Sequence, residues 1–457
     1  DPRLEWPLNY FKYACECVGH RSGYDCQDCD FGWTGVDCAQ RKKPAIRKNA
    51  LLLSDAEKKR FRDTLTKLKN TPSDFVVARD GFGNDPYNKN RFVTDSSIYD
   101  TLTFLHFFSV KTPIKDTGEA DCVRGNFFDD VQFILDFAHN GPGFPTWHRR
   151  FLLEFERELQ RASGDEQMGI PYWDWTDHAH NCSVCTNDLV GEMVLDDPEG
   201  ILDRGSDFWN WTMRCQISPV IEGCTYHVCN MSLPPSQIWR LPTGSAPNLP
   251  ILEDISFALN AEVYDAEPFG LHSPANSFRN CLEGFVTSRG RVTKREDISL
   301  HGQGHTFFSG SVNAVPISPS DPLFYLHHAY VDKILEVWLR NTPTDSHKFP
   351  PPGRGPTGHN YRDYLVSFFP SATHEDYLKS SLEFGYDYDD MWEADFMHKV
   401  RAHGGNVGDE MQAVSGRMMV MLGCGVVAVV TITVVFLFVT YKKRAKKTKE
   451  EEPLLEE

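Results

Sequence analysis

Four histidines fall on the apolar side of helix-like stretches or at their start and two more stand one helical turn apart, and that pattern constrains the fold more than any other feature of the chain. In "SSIYDTLTFLHFF", Ile98, Leu102 and Leu105 fall at helical spacing ahead of His106. In "FFDDVQFILDFAH", Val131, Leu135 and His139 stand four apart, which predicts a helix ending in His139. "WHRRFLLEFERELQR" aligns His148 with Leu152, Phe155 and Leu159 and sets its charges on the opposite face. His301 and His305 stand four apart in "LHGQGHTFF". A last helix, with Ser320 or Asp321 as cap and Pro322 in its first turn, aligns His328 with Phe324, Val331, Leu335 and Trp338. Each imidazole buried without a partner would cost about 1–3 kcal/mol, so the helices must bring all six to a shared one. A metal satisfies them together.

All-imidazole ligation selects zinc, copper, iron or nickel over calcium and magnesium. Three histidines from the first helix pair (His106, His139, His148) and three from the second (His301, His305, His328) make two N3 sites. Set face to face in a four-helix bundle, they would hold two metals with O2 between them. No carboxylate needs to enter the coordination sphere, which favours copper over a carboxylate-rich di-iron centre. The fold expected is therefore mainly α, with long irregular loops such as 177–250 and 340–362.

The flanks add separate pieces. Five of the 13 cysteines lie in residues 15–38, a density that suits a small disulfide-rich module over residues 1–40. Cys26 and Cys29 form a CxxC, but no second CxxC nearby completes a zinc site. The odd count leaves one thiol to pair elsewhere or with a missing upstream segment. The start at Asp1, without Met or signal peptide, is expected of a processed or truncated chain. Cys182 and Cys185 are placed to pair locally, as is Cys215 with Cys229 or Cys224. Cys122 and Cys281 have no obvious partner. The main domain covers 41–390, opening with a basic linker over 41–55, and a polar stalk follows over 391–417.

Residues 418–440 carry no charge over 23 positions, and at about 1.5 Å per residue such a helix spans a hydrocarbon core of about 30 Å. Six basic residues follow in "KKRAKKTK", which places the tail (441–457) in the cytosol and everything before the helix in a lumenal or extracellular space. Sequons at Asn181, Asn210 and Asn230 agree with that exposure. In the tail, Glu450 stands four residues before Leu454 and Leu455, which resembles an acidic dileucine signal read by adaptor complexes. The net charge of −17 argues against a nucleic-acid partner.

"FAHNGPGFPTWHRRFLLEFERELQ" and "SPSDPLFYLHHAYVDKILEVW" resemble the two copper-binding signatures of the tyrosinase family, and "IPYWDWTD" (170–177) resembles its companion segment. The resemblance runs from the cysteine module, similar to the EGF-like module of the animal membrane-bound branch, through the transmembrane helix and tail. It implies a type 3 dicopper site, with His106, His139 and His148 on one copper and His301, His305 and His328 on the other. His327 is then a neighbour lining the pocket, and Asp332, one turn after His328, either orients an imidazole or faces the surface. Phe137 stands where some relatives carry a cysteine linked to the histidine two residues on, so no thioether is expected.

The resemblance further implies oxidation of small phenols such as tyrosine and dopa to o-quinones with O2, initiating melanin synthesis in a melanosome or other lysosome-related organelle. "SFRNCLEGF" matches the segment whose glutamate holds a water near the second copper, which makes Glu283 the candidate base. Phe285 is expected as an aromatic wall and Val315 beside the substrate ring. Gly302 departs from the pattern, because many phenol-hydroxylating relatives carry Asn there to assist the glutamate. A catechol oxidase without hydroxylase activity is therefore the alternative. A zinc-dependent tautomerase-like paralogue is a further one, although the "LHHA" pair sides with the oxidases. An O2 carrier is the last.

Overall fold

The computed structural model describes residues 2–8, 13, 17–74, 77–78, 92–93, 96–110, 135–178, 180–194, 197–213, 216–217, 227–228 and 236–390. Helix α1 (Asp55–Asn70) starts at a capping box in which the Ser54 side chain accepts the Glu57 N–H while Glu57 accepts the Ser54 N–H. It buries Phe61, Leu65 and Leu68 against α2 (Ile98–Val110) and α3 (Gly143–Ser163). Gly164, at a φ of 69°, ends α3 and returns its N–H to the Gln160 carbonyl. Two short helices follow, α4 (Leu252–Leu259) and α5 (Phe278–Glu283). They lead to the two-turn α6 (Leu300–Thr306) and the long α7 (Leu323–Asn341). Pro322 stands at the N-cap of α7, one position before the first turn expected of it, and the Asp321 carboxylate, itself gripped by Arg240, accepts the Leu323 N–H.

α3 packs along α7, and aromatic rings fill the seam, with Phe155 stacked on Tyr325 at 3.5 Å between centroids. Among the described residues the strands form short pairs only, and one parallel pair, Ala45–Arg47 with Tyr386–Tyr388, joins the two ends of the domain. The expectation that α3 turns its charges outward fails for three of them: Arg149 and Glu156 are buried where Arg47, Tyr386 and Tyr388 bring their own polar groups, and Arg150 is buried against the rings of Phe31, Phe368 and Tyr377. Arg149 pairs with Asp332 at 2.6 Å and with Glu336 at 3.0 Å, while Arg47 pairs with Glu156 at 2.8 Å and with Asp332 at 3.0 Å. Asp332 also accepts the Tyr386 and Tyr388 hydroxyls at 2.6 Å, so it neither orients an imidazole nor faces solvent.

Disulfides join Cys17 to Cys26, Cys29 to Cys38 and Cys182 to Cys185, which removes Cys26 and Cys29 from zinc chemistry. Cys281 is a free, buried thiol. The cysteine module sits tightly on the domain: Arg157 of α3 donates to the Cys29 carbonyl and lies 3.9 Å from the Phe31 ring centroid. Cys15, Cys122, Cys215, Cys224, Cys229, the Asn230 sequon, the stalk, the span 418–440 and the tail lie outside the described residues. Among the described residues, no helix is long and apolar enough to cross a membrane.

Candidate metal centre

Four helices deliver imidazoles to one buried region. α2 carries His106, α3 His148, α6 His301 and His305, and α7 His327 and His328. His139 is not helical, contrary to the spacing argument; residues 137–141 bend ahead of α3. Asp136 is the reason. Its carboxylate accepts the Ala138 and His139 amides at 2.8 and 2.9 Å, closing a turn that outcompetes helix.

Among the described residues, two groups have donor atoms within 4.8 Å of one another: His106, His139 and His148, and His301, His305, His327 and His328. The groups face each other, with the His148 and His328 rings stacked 4.4 Å apart. Outer partners orient the rings. His148 Nδ1–H donates to the Phe144 carbonyl at 2.8 Å and His305 Nδ1–H to the Val312 carbonyl at 2.6 Å. His139 Nδ1–H donates to Asp136 at 3.1 Å. That leaves Nε2 of His106 and His148, both nitrogens of His301 and of His327, and Nδ1 of His328 buried without a hydrogen-bond partner, an arrangement that fits a coordinated metal.

Burial and neighbouring imidazoles hold His106, His148, His301 and His328 well below the ordinary histidine range, and burial brings His305 down to about 4. At neutral pH these rings are therefore neutral donors, as metal ligation requires. His139 is the exception: burial opposes its charge, but the Asp136 carboxylate raises it.

The sequence matches the common central domain of tyrosinase over residues 96–341. Over 401 residues the chain is 33% identical to tyrosinase of Canis lupus familiaris, covering 86% of this chain and 72% of that one. The chain belongs to the tyrosinase family. A tyrosinase of Pelophylax lessonae is 32% identical over all of this chain and 83% of its own. A 5,6-dihydroxyindole-2-carboxylic acid oxidase of Gallus gallus is 33% identical over 86% of this chain and 72% of its own. A polyphenol oxidase structure from Thermothelomyces thermophila shares the fold at a TM-score of 0.50 and 17% identity, over 76% of this chain and 88% of that one. This is an enzyme of the tyrosinase type, a type 3 copper oxidase that uses two copper ions and O2.

Glu283, the last residue of α5, is buried beside the first group. One carboxylate oxygen accepts the Asn140 N–H and the other a guanidinium N–H of Arg279 at 3.1 Å. Burial outweighs Arg279 and pushes the carboxyl up to about 7. Gly302 stands next to it: a Cβ there would lie 3.3 Å from the Glu283 carbonyl oxygen and 2.3 Å from the Ile298 side chain. Ile298 fills the space an Asn would need and packs with Phe285 and Val292. Val315 is exposed. It lies between Val312 and Pro316, whose carbonyls face Nδ1 of His305 and His106. His327 lies with the second group over Gly304, where a Cβ would strike its ring at 2.3 Å.

Asp136, Asn140 and Arg279 escaped the reading of the sequence. Asp136 left a signal, an Asp three residues ahead of a candidate ligand, which is the spacing of a side chain-to-backbone turn. Asn140 acts through its backbone, at a φ of 63°, and residue type does not advertise that.

Proposed function

We propose that the chain oxidises monophenols and o-diphenols, tyrosine and dopa among them, to o-quinones as the opening step of melanin synthesis. The observation that carries this reading is a group of three histidines facing a group of four beside Glu283. His106, His139 and His148 would hold one copper and His301, His305 and His328 the other, and the metals would supply O2 binding and take up the substrate's electrons. A free phenol has a pKa near about 10, so its proton must be taken up as it binds. Glu283, near 7, is the base this reading assigns, acting directly or through a water. Phe285 would wall the ring and Val315 would meet it at the open side.

A second reading, oxidation of o-diphenols alone, is favoured by Gly302, which offers Glu283 no side-chain amide. The dihydroxyindole acid named for one relative is itself a vicinal diol of this class. Copper-loaded full-length chain assayed separately on L-tyrosine, L-dopa and that indole, with bound metal quantified, tests all of this. Oxidation of tyrosine and dopa at two coppers per chain supports the first reading, and dopa without tyrosine supports the second. Zinc retained with no oxidation defeats both.

The same reading makes residues 1–40 an EGF-like module, 41–390 the catalytic domain, 391–417 a stalk, 418–440 a membrane anchor and 441–457 a cytosolic tail. It makes the chain a single-pass glycoprotein of the melanosome or a related organelle, sorted by adaptors on Glu450, Leu454 and Leu455. Asn181 and Asn210 are exposed, as glycan acceptors must be.

A further inference from the structure

Two histidines outside the metal groups are buried and fully bonded, and neither takes part in the reading above. His359 Nδ1 accepts the Gly143 N–H at 3.0 Å, and its Nε2–H donates to the Asp136 carbonyl at 2.7 Å. His374, whose ring lies nearly parallel 6.2 Å away, donates from Nε2 to the Gly358 carbonyl at 2.8 Å and accepts the Thr146 hydroxyl at Nδ1 at 2.7 Å. An amide N–H on one ring nitrogen and a carbonyl on the other admit a single state of His359, the neutral Nε2–H tautomer.

What His359 holds is the loop that carries His139. Asp136 stands at one end of that loop, where its carboxylate takes both the His139 amide and the His139 ring N–H. Gly143 stands at the other end, as the first residue of α3. A single imidazole thus bridges the residue before His139 that aims its ring and the start of the helix that carries His148. The loop's glycines make room for it. A Cβ on Gly141 would come 2.9 Å from the His359 ring, and one on Gly143 would come 2.7 Å from it and 2.5 Å from His374. The "HNGPG" stretch is therefore shaped around two imidazoles contributed from more than two hundred residues downstream.

We propose that His359 is a positioning residue for copper at the first site. By tying Asp136 to Gly143 it fixes the turn that directs the His139 ring toward His106 and His148. The proposal rests on the reading that His139 is a copper ligand. An apolar side chain at 359 would leave the Gly143 N–H and the Asp136 carbonyl unpaired, and the turn would lose its aim.

The test uses the full chain with three single variants, His359→Leu, His359→Gln and His139→Ala. Glutamine keeps an oxygen for the Gly143 N–H and an NH2 group for the Asp136 carbonyl. Copper per chain, affinity against a chelator, the EPR signal of uncoupled Cu(II) and thermal stability are measured on each. Expected are two coppers in the unaltered chain and one in His139→Ala. His359→Leu should show a first-site affinity lowered about 10-fold or more, with the second copper retained, and His359→Gln should recover most of the loss. Unaltered affinity at both sites in His359→Leu would overturn the proposal. So would equal loss of both coppers together with cooperative folding, which would make the residue merely structural. Two coppers in His139→Ala would instead defeat the ligand reading beneath it.

Discussion

Glu283 accepts the Asn140 backbone N–H, so the carboxylate that closes α5 is tied to the residue directly after His139. The bond fixes the carboxylate beside the first histidine group without spending a side chain on it. It also fixes the group's charge balance, because Arg279 is the other partner.

With its carboxyl pushed up to about 7 by burial, Glu283 is half protonated near neutrality, and only the carboxylate accepts a proton. Oxidation of L-tyrosine should therefore rise with pH through about 7, with dopa oxidation less affected because a catechol ionises more readily. Glu283→Gln should remove that limb and slow tyrosine oxidation by about 10²–10⁴-fold while both coppers stay bound. A pH–rate profile of the two proteins checks it, and an unchanged limb in the variant would assign the titration elsewhere.

Gly302→Asn brings a side chain into the space of Ile298, so the single variant should lose about 1–3 kcal/mol of stability. Adding Ile298→Ala should recover most of that by vacating the space. In the double variant the ratio of tyrosine to dopa turnover should increase, since an amide would then stand beside Glu283. Thermal melts and the two rates, measured together, separate the packing effect from the chemical one.

The clustered histidines are legible in the sequence because helical periodicity and imidazoles leave a joint signature: His106, His148 and His328 stand on their helices where apolar spacing puts them, and His301 and His305 stand one turn apart. His139 was placed in the right group for the wrong reason. Val131, Leu135 and His139 are four apart, yet a local turn held by Asp136 replaces the helix at residues 135–139. Buried charge was not legible either. Arg149 reads as solvent-facing on its own helix and Asp332 as either an imidazole's partner or a surface residue, yet the partners that bury them, Arg47, Tyr386 and Tyr388, come from the two ends of the domain. Periodicity reports an element's apolar face; it carries no information about what covers the other one.

His327 shares the second group's donor cluster, but His328 is the ring stacked on His148 across the centre. His327→Leu should accordingly keep two coppers per chain, with a modest change in turnover, whereas His328→Leu should lose one. Copper quantification on the pair checks this. Loss from His327→Leu alone would reverse the assignment within "LHHA".

Asp332 supplies acid-sensitive stability. Burial works against its charge, but Arg149 and Arg47, with the two tyrosine hydroxyls, hold the carboxyl below the usual aspartate range. A depressed folded-state pKa stabilises the fold above the unfolded value, near about 3.9, and that stabilisation disappears as pH falls through the folded value. The chain should therefore lose this contribution only below about pH 4. Asp332→Ala leaves two buried guanidinium groups without their shared partner and should cost about 3–5 kcal/mol at neutral pH. Denaturant melts of both proteins from pH 3 to pH 8 check it. Their stabilities should converge toward the acid end, and a constant gap across that range would mean the loss comes from packing instead of charge.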